Sequence, residues 1–314
     1  MSNTELNTTP LGTPQPKRRG RPHKEHEGAG TVLITGGFGQ LGEALLSVSV
    51  GKKYDYVAVG SSSLNICDED LVEEWVWGLR AKAVINCAAY TNVEAAEEEP
   101  ERANMVNGKG VETLVKVCQR YGIPVIHIST DYVFGGDRER NTPYDEEETP
   151  APINAYGQSK LLGEQALSSY SLAVVIRTSW LYSPWGKNFY RTIDSLSRTQ
   201  HEISVVEDQR GTPTSALSLA RFIINIIESH QLKKMSGIYH FSDSGEATWY
   251  DFARAIVELN GTGCYVKPTT SAQRPTRAQR PHYSVLGKRR ITELGVTPPP
   301  WQEALAEVYN YFRQ

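Results

Sequence analysis

A doubly wound parallel α/β sheet with a smaller C-terminal α/β lobe is the fold class this sequence predicts, on three observations. From Thr31 onward, short apolar runs alternate with helical patterns, as in strand-helix-strand units that feed a parallel sheet. A glycine-rich turn follows the first apolar run directly and precedes the first helical pattern. Beyond about Ser183 the alternation weakens and the elements become short and loop-separated, which marks the smaller lobe. A chain of 314 residues, 39% hydrophobic and 22% charged, is long enough for a large core with such an appendage.

Residues 1–30 are poor in apolar groups and rich in Thr, Pro, Gly and charge. They cannot bury enough surface to offset their ordering entropy, so a disordered basic tail is expected. Within it, Pro16-Lys17-Arg18-Arg19-Gly20-Arg21-Pro22 resembles an AT-hook, whose Gly-Arg-Pro core lies in the narrow minor groove of A·T-rich DNA. One short motif supplies few phosphate contacts, so a solvated tail or import signal is preferred and nucleic acid is not expected as a partner.

Strands are predicted at 32–35, 56–59, 84–87, 125–129 and 173–177, with helices filling the gaps. One helix begins near Glu43 and another near Glu69. Pro100 suits an early helical position before a segment that runs to Tyr121 and stops at Gly122. The order is βαβαβαβ. In the smaller lobe, short strands are read at 203–206 and 238–241, and Thr248 with Asp251 forms a capping pair for a helix at 249–259. Arg274-Pro275 and Arg280-Pro281 mark an extended connection to a final helix at 301–312. The expected division is a tail at 1–30, a first domain at 31–182 and a smaller lobe at 183–314, segments of which can return to the first domain.

A formal charge of -3 gives no global basic field. Cys67, Cys87, Cys118 and Cys264 form no C-x-x-C pair, so neither a disulfide framework nor a zinc site is indicated, and no metal is expected. The N-terminus has no apolar core of signal-peptide length, and no apolar stretch is long enough for a bilayer. The expectation is a soluble, cytoplasmic protein with no membrane partner.

Thr35-Gly36-Gly37-Phe38-Gly39-Gln40-Leu41-Gly42 stands between a strand and a helix, the context a phosphate-binding turn of the Rossmann type requires. Gly36 permits the tight turn, Gly39 lets the backbone approach a pyrophosphate, and Gly42 lets the helix pack closely on the strand. The helix N-terminus then faces negative charge. The second strand ends in Val59-Gly60-Ser61-Ser62-Ser63 with no carboxylate to repel a ribose 2′-phosphate. NADPH is therefore expected ahead of NADH.

Tyr156 and Lys160 are spaced i and i+4 on a helical pattern at 155–164, so they share a face. A free tyrosine titrates at about 10, and an adjacent ammonium is expected to lower that value and make the phenol a proton donor to a developing alkoxide. Ser129-Thr130 ends the preceding strand, at the edge where doubly wound sheets hold ligands.

In that order, the glycine turn, Asn86-Cys87-Ala88-Ala89, Ser129-Thr130 and Tyr156-x-x-x-Lys160 resemble an extended short-chain dehydrogenase/reductase. Asn86 to Val93, His127 to Phe134, Arg177-Thr178-Ser179-Trp180-Leu181-Tyr182 and Asp208 to Thr214 are similar to the dTDP-4-dehydrorhamnose reductase family. With Arg280-Pro281 these motifs span nearly everything from residue 31 to 314.

The resemblance implies that Thr130, Tyr156 and Lys160 are the catalytic set. Thr130 would hydrogen-bond the sugar carbonyl, Tyr156 protonate it, and Lys160 tune Tyr156 while touching the nicotinamide ribose. Gly36, Phe38, Gly39, Gln40, Leu41 and Gly42 would cradle the dinucleotide. Asn65 and Ile66 would lie by its adenine, and Ala88, Ala89, Tyr90 and Thr91 by its middle. Asp131, Tyr132 and Trp180 would meet the deoxysugar beside Thr130 and Tyr156. The implied reaction is reduction of the 4-keto group of a nucleotide-linked 6-deoxy-4-ketohexose in nucleotide-rhamnose biosynthesis, with a homodimer as one possible assembly. The chain departs from the family pattern at Asn65, where Asp is usual, at His282-Tyr283-Ser284, where Asn is common, and in its basic tail.

Other residues take plainer readings. Glu97-Glu98-Glu99 and the acids at 145–148 are solvated charge. His127, inside an apolar strand, reads as a satisfied core histidine. The spacing leaves open whether Gln209, Arg210 and Thr212 line a nucleotide pocket. A rival function is a non-catalytic regulatory subunit, because the beta subunit of methionine adenosyltransferase resembles the same reductases. Arg177-Thr178-Ser179-Trp180 and Gly211-Thr212-Pro213-Thr214 keep the reductase form and favour the enzyme. A combined epimerase-reductase is the third possibility, marked by solvent deuterium entering at C3 and C5.

Overall fold

The computed structural model describes residues 30–311. The tail motif at 16–22 lies outside the described residues, as does the end of the final helical pattern. Six parallel strands form the main sheet, in the spatial order Gly237–His240, Ala173–Thr178, Val125–Thr130, Ala81–Asn86, Thr31–Thr35, Asp55–Val59. Alternate side chains of each strand enter opposite cores, as a period of two requires. Val32 and Ile34 face one apolar cluster and Leu33 the other, and Val174 with Ile176 are likewise divided from Val175. A strand apolar at every position is thus buried on both faces.

Thr31–Thr35 lies between Asp55–Val59 and Ala81–Asn86, so the strand order reverses there and opens a crevice at the carboxyl ends. The first helix runs Gln40–Val48, three residues ahead of its expected start. Its N-cap, Gly39, has no side chain to mark the boundary. The segment from Pro100 is not one uniform helix: Pro100–Asn104 passes through a π-helical turn at Met105–Lys109 into Gly110–Tyr121. It ends at Gly122 with φ 63, the left-handed conformation that favours glycine. Thr248 and Asp251 make the reciprocal cap that opens Trp249–Asn260.

Gly237–His240 pairs with Ala173–Thr178 as the edge of the main sheet, and helix Ala216–Glu228 packs on Gln40–Val48. The remaining strands pair as short ribbons: Leu181–Tyr182 with Thr214–Ser215, Glu202–Val206 with Tyr265–Thr269, and Arg210–Gly211 with Ala247–Thr248. Among the described residues no helix is long and apolar enough to cross a membrane, and no group of His, Cys, Asp or Glu could hold a metal ion.

Candidate active site

The glycine turn sits at the reversal point. Gly36 has φ 63, and a Cβ there would lie 2.6 Å from the Ala88 nitrogen, so only glycine lets the turn meet the loop after Ala81–Asn86. Gly42 faces the turn's own backbone rather than the strand: a Cβ on it would stand 2.3 Å from the Gly37 oxygen. Gly42→Ala must push the turn away from the helix at a cost of about 1–3 kcal/mol. The expected result is a loss of dinucleotide affinity of about tenfold or more, read by fluorescence titration; unchanged affinity would remove the turn from the binding site.

Phe38 is 69% exposed and covers Gly60, where a Cβ would come within 2.6 Å of its ring. Ser61, Ser62 and Ser63 are exposed beside it, and no carboxylate stands among them. Asn65 is exposed and accepts from the Cys67 amide of its own loop at 3.1 Å, while Ile66 is buried. Ala88, Ala89 and Tyr90 are half-buried and Thr91 is exposed. Leu41 is core, and the Gln40 side chain accepts from the Ser183 hydroxyl at 3.2 Å, tying the turn to the C-terminal half.

Asn107, which no sequence pattern singled out, braces the next part of the site. Its carboxamide accepts from the Tyr90 amide at 2.8 Å, donates to the Tyr90 carbonyl at 3.0 Å and donates to the Ser159 hydroxyl at 2.8 Å. The π turn sets this buried amide between the Ala88–Thr91 loop and the helix of Tyr156. Such turns recur at functional sites.

Helix Ala155–Leu167 carries Tyr156, Lys160 and Glu164 at intervals of four, which places them along one face. Asn154 caps it by accepting from the Gly157 amide at 2.8 Å. Lys160 is buried; its ammonium donates to the Ile128 carbonyl at 2.6 Å and lies 3.5 Å from His127 Nε2. Burial brings its pKa down to about 8, with Glu164 opposing. His127 is held well below its usual range by burial and then by Lys160, and Asn86 lies 3.0 Å from its other nitrogen. His127 is therefore a satisfied buried histidine, and it also abuts the lysine.

The phenol of Tyr156 departs from expectation. Its surroundings push it up to about 12, by burial first, and the Thr130 hydrogen bond pulls the other way. The Lys160 ammonium is directed to the strand carbonyl and is not among the influences on the phenol. Tyr132 packs edge-on against the Tyr156 ring, with centroids 5.8 Å apart. Thr130 accepts from the Tyr132 amide and donates to Asp131 Oδ1, both at 3.1 Å. Its hydroxyl is thus shared between Asp131 and the Tyr156 phenol. Asp131 is only 2% exposed, and its other oxygen accepts from Ser284 at 2.6 Å.

Behind this helix, Ser129 and Arg177 stand opposite one another on adjacent strands and both engage Glu164. Arg177 donates to both Glu164 oxygens, at 2.9 and 2.7 Å, and its guanidinium lies over the Phe134 ring. Ser129 thus serves the helix anchor, while Thr130, one residue on, serves the site. Trp180 stands apart from that cluster, with φ 46, stacked on Trp249 at 3.6 Å. Gly211 makes room for its indole, since a Cβ there would meet the ring at 2.5 Å. Trp249 was not legible as a partner because it lies far along the chain.

The chain is similar to the dTDP-4-dehydrorhamnose reductase of Mycolicibacterium smegmatis, 38% identical over 96% of this chain and 93% of that protein. It is also 38% identical to the spore coat polysaccharide biosynthesis protein SpsK of Bacillus subtilis, over 88% of this chain and 95% of that one. The crystal structure of a dTDP-4-dehydrorhamnose reductase from Bacillus anthracis in complex with NADP superposes with a TM-score of 0.85 at 36% identity, covering 91% of this chain and 99% of that one. Residues 30–314 match the RmlD substrate binding domain family, and the chain belongs to that family.

Proposed function

We propose that this chain is an NADPH-dependent oxidoreductase that reduces the C4 ketone of a dTDP-linked 6-deoxy-4-ketohexose to the rhamnose-type sugar. The carrying observation is the convergence of Thr130, Tyr156 and Lys160 at the carboxyl end of Val125–Thr130, beside the turn that only Gly36 can close. Relatives named for this reaction, one solved with NADP, support the substrate and the cofactor.

The residues present fit a nicotinamide dinucleotide: the turn is free of Cβ atoms where a pyrophosphate would lie, and the serines at 61–63 leave room for a 2′-phosphate. When bound, that group supplies the hydride. Gly36, Gly39 and the open amides of Gln40–Val48 would hold the phosphates, with Phe38, Asn65 and Ile66 toward the adenine. Asn107 fixes the Tyr90 backbone so that Ala88, Ala89, Tyr90 and Thr91 flank the middle of the group. Tyr156 keeps its proton until the carbonyl oxygen gains charge, because a phenol held near 12 is fully protonated at neutral pH. Lys160, its ammonium held by the Ile128 carbonyl, would lie toward the ribose of the bound group and favour that transfer as charge develops. Trp180, stacked on Trp249, would offer an apolar wall to the deoxysugar.

Incubation with NADPH and dTDP-4-dehydrorhamnose should give loss of absorbance and a single reduced sugar by NMR, with the UDP analogue turned over more slowly. Absence of oxidation with either nucleotide would overturn the assignment.

A further inference from the structure

Asp131 is a buried acid that the reduction as written above leaves unused. It opens the short 3-10 turn Asp131–Val133, directly after Thr130. Its neighbours are hydroxyls: Thr130 on one carboxyl oxygen and Ser284, from the C-terminal connection, on the other. Thr130 has one hydrogen to give. With Asp131 charged, that hydrogen goes to the carboxylate. With Asp131 neutral, the acid donates to Thr130, whose hydrogen is then free to turn toward Tyr156 or the sugar oxygen.

Resting on the reading of this site as a carbonyl reductase, we propose that Asp131 is a proton store that recharges Tyr156 through Thr130, with Ser284 setting its charge state. As hydride forms the new C–H bond, the carbonyl pair moves onto oxygen. That oxygen takes the Tyr156 proton. The resulting phenolate takes the Thr130 hydroxyl proton, while Thr130 takes the proton of neutral Asp131. The net change leaves Tyr156 and Thr130 restored and Asp131 a carboxylate, which solvent reprotonates after product leaves. Asp131 thus acts through Thr130 rather than on the reacting atoms.

The groups facing Asp131 are consistent with this role. Tyr132 lies on its own turn, Tyr156 on the packed helix, and Ser284 on the C-terminal connection. Arg280 acts on Tyr132 and is itself paired with Glu94. Lys160 is engaged by Ile128. Burial pushes Asp131 up to about 7 against the pull of Ser284, Thr130 and two backbone amides. A store that must be protonated loses activity as pH rises through that value. The Ser284 bond favours the charged form, so its removal moves the loss to higher pH.

The test measures kcat against pH for wild type, Asp131→Asn and Ser284→Ala, with NADPH affinity and melting as controls. The expected result is a wild-type kcat that falls above about pH 7. In Asp131→Asn that limb is absent and kcat below it is lower by about tenfold or more. In Ser284→Ala the limb moves upward. An infrared difference spectrum, wild type minus Asp131→Asn, taken without cofactor should show a carboxylic-acid band that is lost as pH rises through about 7. If Asp131→Asn fails to fold, Ser284→Ala decides: a limb moved upward supports the store and an unmoved limb overturns it. An inactive wild type overturns both readings; an active one whose limb persists in Asp131→Asn overturns the relay alone.

Discussion

Tyr156→Phe is expected to lower turnover by about 10²–10⁴-fold, the usual worth of a positioned general acid. The substitution removes one hydroxyl and keeps the ring, whose edge-on contact with Tyr132 holds the local packing. NADPH affinity should stay within about twofold, because the turn that carries the phosphates does not involve the phenol. The loss should fall on kcat rather than KM, since the proton moves only as the alkoxide forms. Single-turnover kinetics with the ketosugar, beside a fluorescence titration of NADPH, check both halves. Near-normal kcat in this variant would mean that another group protonates the carbonyl.

Glu164→Ala should produce the largest loss of stability. Arg177 is fully buried, and Glu164 satisfies two of its donors while also accepting from Ser129. Removing the carboxylate strands a guanidinium in the core; breaking a buried pair in this way costs about 3–5 kcal/mol. His240, 3.4 Å from Arg177, cannot replace it, because burial and then Arg177 itself hold that imidazole down to about 3, and so neutral. A melting temperature lower by about 10 °C is expected from calorimetry. Glu164→Leu combined with Arg177→Met should recover much of it, because an apolar pair needs no compensation. If Glu164→Ala melts like wild type, the anchor between the catalytic helix and the sheet is not the ion pair.

The order of strands and helices was legible because the central strands of the main sheet are apolar on both faces and some glycines and prolines, such as Pro100 and Gly122, fall at boundaries. Val32 to Thr35, Val125 to Ser129 and the stop at Gly122 are examples. The shared face of Tyr156 and Lys160 was legible for a similar reason: four residues make about one turn, so they lie together by geometry alone. The same argument reaches Glu164, one further turn along, and nothing in the spacing told that its role is structural. Asn107 was not legible, because an amide inside a helical pattern carries no sign that a π turn aims it at Tyr90.

The sequence by itself determined the parallel sheet, the glycine turn and the placing of a phenol and an ammonium on one face of a helix. Those are local matters of period, sterics and charge, complete within a few residues. Tertiary structure alone decided that Ser284 reaches Asp131 across 153 positions, that Trp249 backs Trp180, and that Lys160 turns to Ile128. Burial depends on which distant segments exclude water from a group, and it is burial that raises the Tyr156 phenol and the Asp131 carboxyl and lowers Lys160.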